Sequence, residues 1–248
     1  MDVVERAPET PALDAAVAGL RALPSRRTRS PWVAAVAAGL VVASQVLGLL
    51  LGLVPGLLGW FAAVLIPVAV LVVGVARITA DASSGTAGAG AALGLDRPRA
   101  RDLPRAVLWL VLGYAAQVAV GIVAVAVGLQ AGRNVADFSG APAWALVVVC
   151  VVVVGVAPVV EEILFRGLVL RGLMGRLSFW PSALLCSGLF GLLHAPTALA
   201  GAPALVLQTA ALGLVLCLLA RRTGRLAPGM LVHALHNAVG LAAAFFLL

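Results

Sequence analysis

Long uninterrupted apolar stretches constrain the fold of this chain more than any other feature of its sequence. Stretches of about 18 residues or more recur along its 248 residues, and each is long enough to cross about 30 Å of hydrocarbon as a helix. Hydrophobic residues make up 62% of the chain and charged residues only 11%, which excludes a soluble globular core. The stretches do not alternate with polar residues as barrel strands do. We therefore predict an all-α polytopic transmembrane helical bundle.

The stretches divide the chain into a polar tail and one transmembrane domain. Residues 1–30 are polar, mixed in charge and interrupted by prolines, which predicts a flexible cytoplasmic tail. Residues 31–248 form a single helical domain of about seven spans, with room for an eighth, re-entrant segment. The predicted spans cover roughly 32–53, 57–76, 106–129, 143–165, 180–195, 203–220 and 227–247.

All seventeen basic residues are arginines, and their positions predict the orientation of the chain. They cluster beside the apolar segments and form no basic stripe interleaved with aromatic residues, so we predict no nucleic-acid partner. If the N-terminus is cytoplasmic, only Arg133 lies outside, and the connection at 166–176 contributes three of the cytoplasmic arginines. Residues 80–105 then form a mobile cytoplasmic loop. Arginine without lysine, in a chain rich in Ala, Val and Gly, suggests a bacterial plasma membrane.

Two adjacent carboxylates in an apolar segment mark the place where chemistry is expected. Glu161 and Glu162 are the only two of the ten acidic residues that fall inside a predicted span rather than in a tail or loop. An ionisable side chain at membrane depth costs about 2.5–3.5 kcal/mol on insertion scales. Such a pair therefore predicts a functional site.

Helix geometry assigns different surroundings to the two carboxylates. Glu162 and Arg166 are four residues apart and share a face, which predicts an ion pair. Glu161 points elsewhere, and an unpaired carboxylate in a low-dielectric setting suits a general base. Pro158 removes an amide in the preceding turn, which predicts a kink or an opening to water.

The three histidines of the chain all lie in apolar segments near its end. His194 follows Phe190 by four residues, and His233 precedes Asn237 by four, so each pair shares a helix face. His236 lies about 60° from His233 and borders the same region. Three histidines beside the only carboxylates in predicted spans indicate an intramembrane polar cavity.

Three ordered motifs in the second half of the chain resemble those of the CPBP intramembrane proteases. This family includes the CAAX prenyl proteases of eukaryotes and the Abi or bacteriocin-processing proteins of bacteria. The resemblance covers roughly residues 105–248. It rests on EExxxR (Glu161, Glu162, Arg166), FxxxH (Phe190, His194) and HxxxN (His233, Asn237).

The resemblance implies hydrolysis of peptide bonds inside the bilayer. Glu161 would activate water with help from His194, whereas His233 and Asn237 would stabilise the oxyanion. The other two residues of EExxxR would support the site as an ion pair. The implied partners are the lipid bilayer and a peptide or membrane-protein substrate.

The sequence does not decide whether the site uses a metal ion. The family is often described as metalloproteases, and Glu161, His194 and His233 would suffice as zinc ligands with an open fourth position. The HExxH spacing of a zinc-binding helix is absent from the sequence, and a metal-free glutamate mechanism is an equal alternative.

Other classes of protein remain alternatives. A proton-coupled transporter could use the glutamates and histidines as a relay, although the chain lacks two corresponding halves with matching broken helices. A catalytically silent scaffold or immunity factor of the same fold would keep the motifs without turnover. A rhomboid-type serine mechanism is disfavoured because Leu185 replaces the first glycine of Gly-x-Ser-Gly before Ser187.

Overall fold

The computed structural model describes residues 31–52, 94–130, 142–195 and 201–246, together with positions 66, 69, 70, 73 and 74. All regular elements within these residues are helices, which confirms the predicted all-α class. Three of these helices are long and apolar enough to cross a membrane. The exact number of spans stays a prediction. The tail at 1–30 and most of the predicted span at 57–76 lie outside the described residues.

Six long helices carry the described part of the chain. They are α1 (Pro31–Gly52), α2 (Asp102–Ala126), α3 (Ala143–Leu173), α4 (Phe179–Leu192), α5 (Ala204–Thr223) and α6 (Ala227–Phe246). Pro104 and Pro228 stand in the first turns of α2 and α6, where a missing amide leaves no hydrogen bond unmade. α5 ends at Gly224, whose φ of 66° is the left-handed conformation that terminates a helix.

α5 lies at the centre of the described bundle. It packs against α4 on one side and α2 on another, while α6 packs across α2 and α3 and α1 packs against the second half of α3. α4 and α5 approach closely at Gly191, where a Cβ would clash with the Val206 carbonyl oxygen. Two buried apolar clusters result, one mainly between α1, α3 and α4 and the other between α2, α5 and α6. The helices of EExxxR and FxxxH, α3 and α4, therefore share one cluster, whereas the HxxxN helix α6 belongs to the other.

The end of α3 differs from the prediction. The helix continues to Leu173, beyond the predicted end at 165, and it contains two arginines that we had assigned to a cytoplasmic connection. Arg166 is buried against a carboxylate, and buried Arg171 donates a hydrogen bond to the Gly224 carbonyl oxygen at 3.1 Å. Because both guanidinium groups find buried partners, neither counts as a loop arginine in the orientation argument.

The segment before α2 is also more ordered than predicted. The Gly94 carbonyl accepts a hydrogen bond from the Leu226 amide at 2.8 Å, and Arg225 donates to the Arg97 carbonyl at 2.6 Å. Asp102, predicted to lie in the loop, instead begins α2 and binds Arg225 at 2.9 Å while nearly fully buried. The predicted mobility is therefore wrong for residues 94–105, and residues 80–93 lie outside the described residues.

Candidate active site

Glu162 and Arg166 form the predicted ion pair at the centre of the bundle. Arg166 Nη1 lies 2.6 Å from Glu162 Oε1, and both side chains are fully buried. Arg166 Nη2 also donates to the Gly213 carbonyl of α5 at 3.0 Å, and its guanidinium lies 4.6 Å from the centre of the Phe190 ring of α4. One arginine thus neutralises a buried carboxylate and connects three helices.

His233 lies between the two glutamates. Its Nε2 is 3.7 Å from Glu161 Oε2, and its Nδ1 is 3.5 Å from Glu162 Oε1. Glu161 keeps 15% of its side-chain surface exposed, whereas Glu162 keeps none. Glu161, the base predicted from the sequence, is therefore partly accessible to solvent, whereas Glu162 is not. The imidazole of His233 lies beside Glu161.

Gly229 allows the backbone of α6 to approach Glu162. A Cβ at this position would lie 2.6 Å from Glu162 Oε2, closer than real Cβ contacts come. Gly229 is one turn before His233 on α6, so the same close approach brings the imidazole to the glutamates. Sequence analysis missed this residue, because a glycine within an apolar helix carries no chemical signal of its own.

We expect Gly229→Ala to lower both thermal stability and any activity of the site, because either Glu162 or α6 must move to accommodate the methyl group. Gly240→Ala is the matched control. It lies on the same helix with nothing within 4 Å of its added Cβ, and alanine favours a helix over glycine by about 1 kcal/mol. Thermal unfolding in detergent would compare the two variants. Equal melting temperatures would contradict the proposed close approach.

Two π-helical segments flank the turn that carries the glutamates. Val151–Val156 precedes the α-helical residues Ala157–Glu162, and Ile163–Val169 follows them. Because Pro158 has no amide hydrogen, the regular α-helical pattern cannot continue through it. The helix widens into π-helical turns before Pro158, a feature often found at functional sites, and the kink itself stays a prediction.

Asn237 compensates for one of these irregular turns. In a regular α-helix the Val153 carbonyl would accept from the Ala157 amide, but that amide donates to Val152 instead. The next residue, Pro158, has no hydrogen to offer. Asn237 Nδ2 of α6 donates to the Val153 carbonyl at 2.8 Å. One amide hydrogen of Asn237 is thus engaged, and the second is available to another acceptor.

The contacts that connect His194 to the site are with Phe190. It lies in the turn after α4, and its Nδ1 is 3.2 Å from the Phe190 carbonyl oxygen. The Phe190 ring makes edge contacts with both His194 and His233, at centroid distances of 5.7 and 5.6 Å. α4 has 14 residues and ends at Leu192, so the FxxxH motif lies at its C-terminal end. If Nδ1 carries the hydrogen, Nε2 of His194 remains a proton acceptor.

Two residues of α2 that the sequence analysis did not select adjoin this region. His236 Nε2 lies 2.7 Å from Gln117 Oε1, and its ring stacks on Tyr114 at a centroid distance of 4.8 Å. The Tyr114 hydroxyl also donates to the His236 backbone carbonyl at 3.2 Å. Tyr114 and Gln117 are the two polar side chains in the middle of an otherwise apolar helix, three residues apart. That spacing on one face was the available signal.

The suggested zinc ligands do not form a metal site in this arrangement. Among the described residues, no group of three or more histidine, cysteine or acidic side chains is placed to hold a metal ion. His233 lies between the glutamates, whereas His194 Nδ1 is directed at a backbone carbonyl. Glu161, His194 and His233 therefore do not fit a metal as they stand.

Comparison with protein families gives one match. Residues 142–239 match the family of Rce1-like type II CAAX prenyl endopeptidases. The matched segment, named the Rce1-like domain after that family model, covers about two fifths of the chain. It contains α3, α4, α5 and most of α6, and with them every residue of the three motifs. The predicted resemblance to the CPBP family is thereby confirmed.

Neither the curated proteins nor the solved structures gave a match to the chain. The family match and the apolar helices together indicate an integral membrane protein. The π-helical segments, the buried ion pair and Phe190 all lie within the domain. Tyr114 and Gln117 lie outside it, on α2.

Proposed function

We propose that the Rce1-like domain is an active intramembrane endopeptidase that cleaves membrane-associated peptides or proteins. The observation that carries this proposal is the contrast between the two adjacent glutamates. Glu162 is fully buried and neutralised by Arg166, whereas Glu161 is partly accessible and lies beside His233. A structural charge cluster would need no such difference, but a general base needs a free carboxylate.

In the proposed reaction, Glu161 accepts a proton from a water molecule as the water oxygen bonds to the substrate carbonyl carbon. His194 Nε2 assists in positioning that water. His233 and the second amide hydrogen of Asn237 donate to the oxyanion. When the carbon–nitrogen bond breaks, Glu161 returns the proton to the leaving amine, so the carboxylate is regenerated.

Unpaired polar atoms in the core support a role in binding a polar group. Within the described residues, Glu162 Oε2, Arg166 Nε and His233 Nδ1 are buried without a hydrogen-bond partner. Leaving such an atom unpaired costs about 1–3 kcal/mol. Three such atoms in the contacting side chains of Glu162, Arg166 and His233 favour a site that pairs with water or with a substrate amide.

The proposal is tested by incubating the purified protein, in detergent and in liposomes, with membrane-anchored reporter peptides. Cleavage supports an endopeptidase. Proton or solute flux in the same liposomes, without cleavage, would favour a transporter. A chain that keeps its cellular role with Glu161 and His194 both replaced would be a scaffold. Capture of a bound peptide by Glu161→Ala would identify the substrate, and chelation of an active preparation would test for zinc.

We also propose an orientation and an organisation for the chain. The N-terminus lies in the cytoplasm of a bacterial cell, and residues 31–248 form one domain in the plasma membrane. The exposed arginines at 97–105, 176 and 222 support this orientation, since they fall at one end of the helices. Labelling of cysteines introduced at the two termini of the chain, in intact cells, would test it.

We expect Asn237→Ala to lower the melting temperature as well as cleavage. The substitution leaves the Val153 carbonyl without a donor, at a cost of about 1–3 kcal/mol. Asn237→Asp should behave in the same way, because an ionised carboxylate has the same shape but no hydrogen to donate. A purely catalytic asparagine would lose activity in both variants with an unchanged melting temperature, which would contradict the hydrogen bond to Val153.

A further inference from the structure

A second polar site lies away from the glutamates, at the arginine-rich end of the bundle. A half-open cavity of about 560 Å³ lies between the start of α2 and the end of α5. Four exposed arginines line it, and two leucines of α2 continue its wall. These residues are Arg99, Arg101, Arg105, Arg222, Leu108 and Leu112.

The four arginines carry positive charge that nearby carboxylates do not neutralise. Asp102 binds Arg225 through both oxygens and accepts from the backbone amide of Arg99, and it attracts the Arg99 guanidinium only at longer range. Asp96 lies 3.5 Å from Arg225 as well. Among the described residues, none of the four cavity arginines forms a side-chain ion pair. The cavity therefore concentrates uncompensated guanidinium groups, which suit a phosphate ligand.

The shape of the cavity extends from polar to apolar surroundings. Arg101 and Leu112 are eleven residues apart, which corresponds to about 16 Å along a helix. Leu108 and Leu112 are 59% and 44% exposed and belong to a helix long enough to cross the membrane. Trp109 also lines the cavity, and tryptophan is enriched where the hydrocarbon meets the headgroups. The wall thus changes from charged to apolar along the axis of α2.

We propose that this cavity binds an anionic phospholipid. The arginines would bind the phosphate, and an acyl chain would lie along Leu108 and Leu112. Basic pockets between transmembrane helices bind anionic headgroups in this way. A free phosphate shares the charge chemistry but would leave the leucine wall without a partner, which favours the lipid. The site does not depend on the proposed peptidase activity.

The test measures binding of fluorescent phosphatidylglycerol to the purified full-length protein in detergent micelles. We expect saturable binding that unlabelled phosphatidylglycerol displaces. Phosphatidylcholine and millimolar inorganic phosphate should compete poorly. Equal competition by phosphatidylcholine would overturn the requirement for an anionic headgroup, and equal competition by inorganic phosphate would overturn the lipid assignment.

Arginine variants locate the binding. We expect the triple variant Arg101→Gln/Arg105→Gln/Arg222→Gln to weaken binding about 100-fold, and Arg222→Gln alone about fivefold. Arg176→Gln is the matched control, because Arg176 is exposed outside the cavity. If the triple variant fails to fold, the single variant carries the test. Equal affinity of Arg222→Gln and Arg176→Gln would overturn the proposal.

Discussion

We expect Glu161→Gln to abolish cleavage of a membrane-anchored peptide while the melting temperature stays close to that of the wild type. Glutamine keeps the shape of the side chain but cannot accept the proton of the attacking water. General-base catalysis alone contributes about 10²–10⁴-fold to a rate. Stability should change little, because the contact of Glu161 with His233 Nε2, at 3.7 Å, is beyond hydrogen-bonding distance.

The measurement is a single-turnover cleavage rate for wild type, Glu161→Gln and Glu161→Asp in the same detergent. Aspartate retains the carboxylate but withdraws it by one methylene, so we expect partial activity. Glu161→Asp thus shows how far the cleavage rate depends on the position of the carboxylate, whereas Glu161→Gln shows how far it depends on the carboxylate being present. Undiminished cleavage by Glu161→Gln would remove Glu161 from the reaction and leave the proposed mechanism without its base.

The second large effect is expected on stability rather than on chemistry. Glu162→Gln removes the charge that neutralises Arg166, and both side chains are fully buried. Breaking a buried ion pair by removing one partner costs about 3–5 kcal/mol, because the remaining charge stays in a low-dielectric interior. Arg166 also connects α3 to Gly213 and Phe190, so its displacement should loosen the contact of α3 with α4 and α5.

Denaturant unfolding of Glu162→Gln, Arg166→Met and the double variant tests this prediction. The double variant removes both charges and should recover much of the loss, since replacing a buried pair with apolar or neutral groups is often close to neutral. Additive losses in the double variant would show that the two side chains do not act as a pair. Wild-type stability in either single variant would contradict the buried ion pair.

The sequence predicted those parts of the site that depend on regular helix geometry. Spacing of four residues places Glu162 beside Arg166, and the structure contains that pair. The same spacing predicts that His194 lies one turn after Phe190, within reach of its backbone carbonyl. The edge contact of the Phe190 ring with His233, in contrast, depends on the tertiary fold. Long apolar runs likewise predicted the class of fold, because only helices satisfy their own backbone hydrogen bonds within a span.

The sequence could not predict the features that depend on contacts between distant segments. Arg171 looks like a loop arginine until the turn after α5 provides its partner. Asp102 looks like a loop acid until Arg225 binds it. The bond between Asn237 and Val153 requires both an irregular α3 and the approach of α6. In each case a polar group is stabilised by a partner more than 40 positions away, which spacing along one helix cannot show.

The widened turns around Glu161 and Glu162 have a consequence for how this region evolves. Many of the valines between 151 and 156 are partly exposed, so exchanges among apolar residues should be tolerated there. Gain or loss of a single codon is different, because one residue rotates everything that follows by about 100° around the helix axis. Such a change would turn both carboxylates away from His233. We therefore expect this stretch to tolerate changes in its length less well than exchanges among its apolar residues.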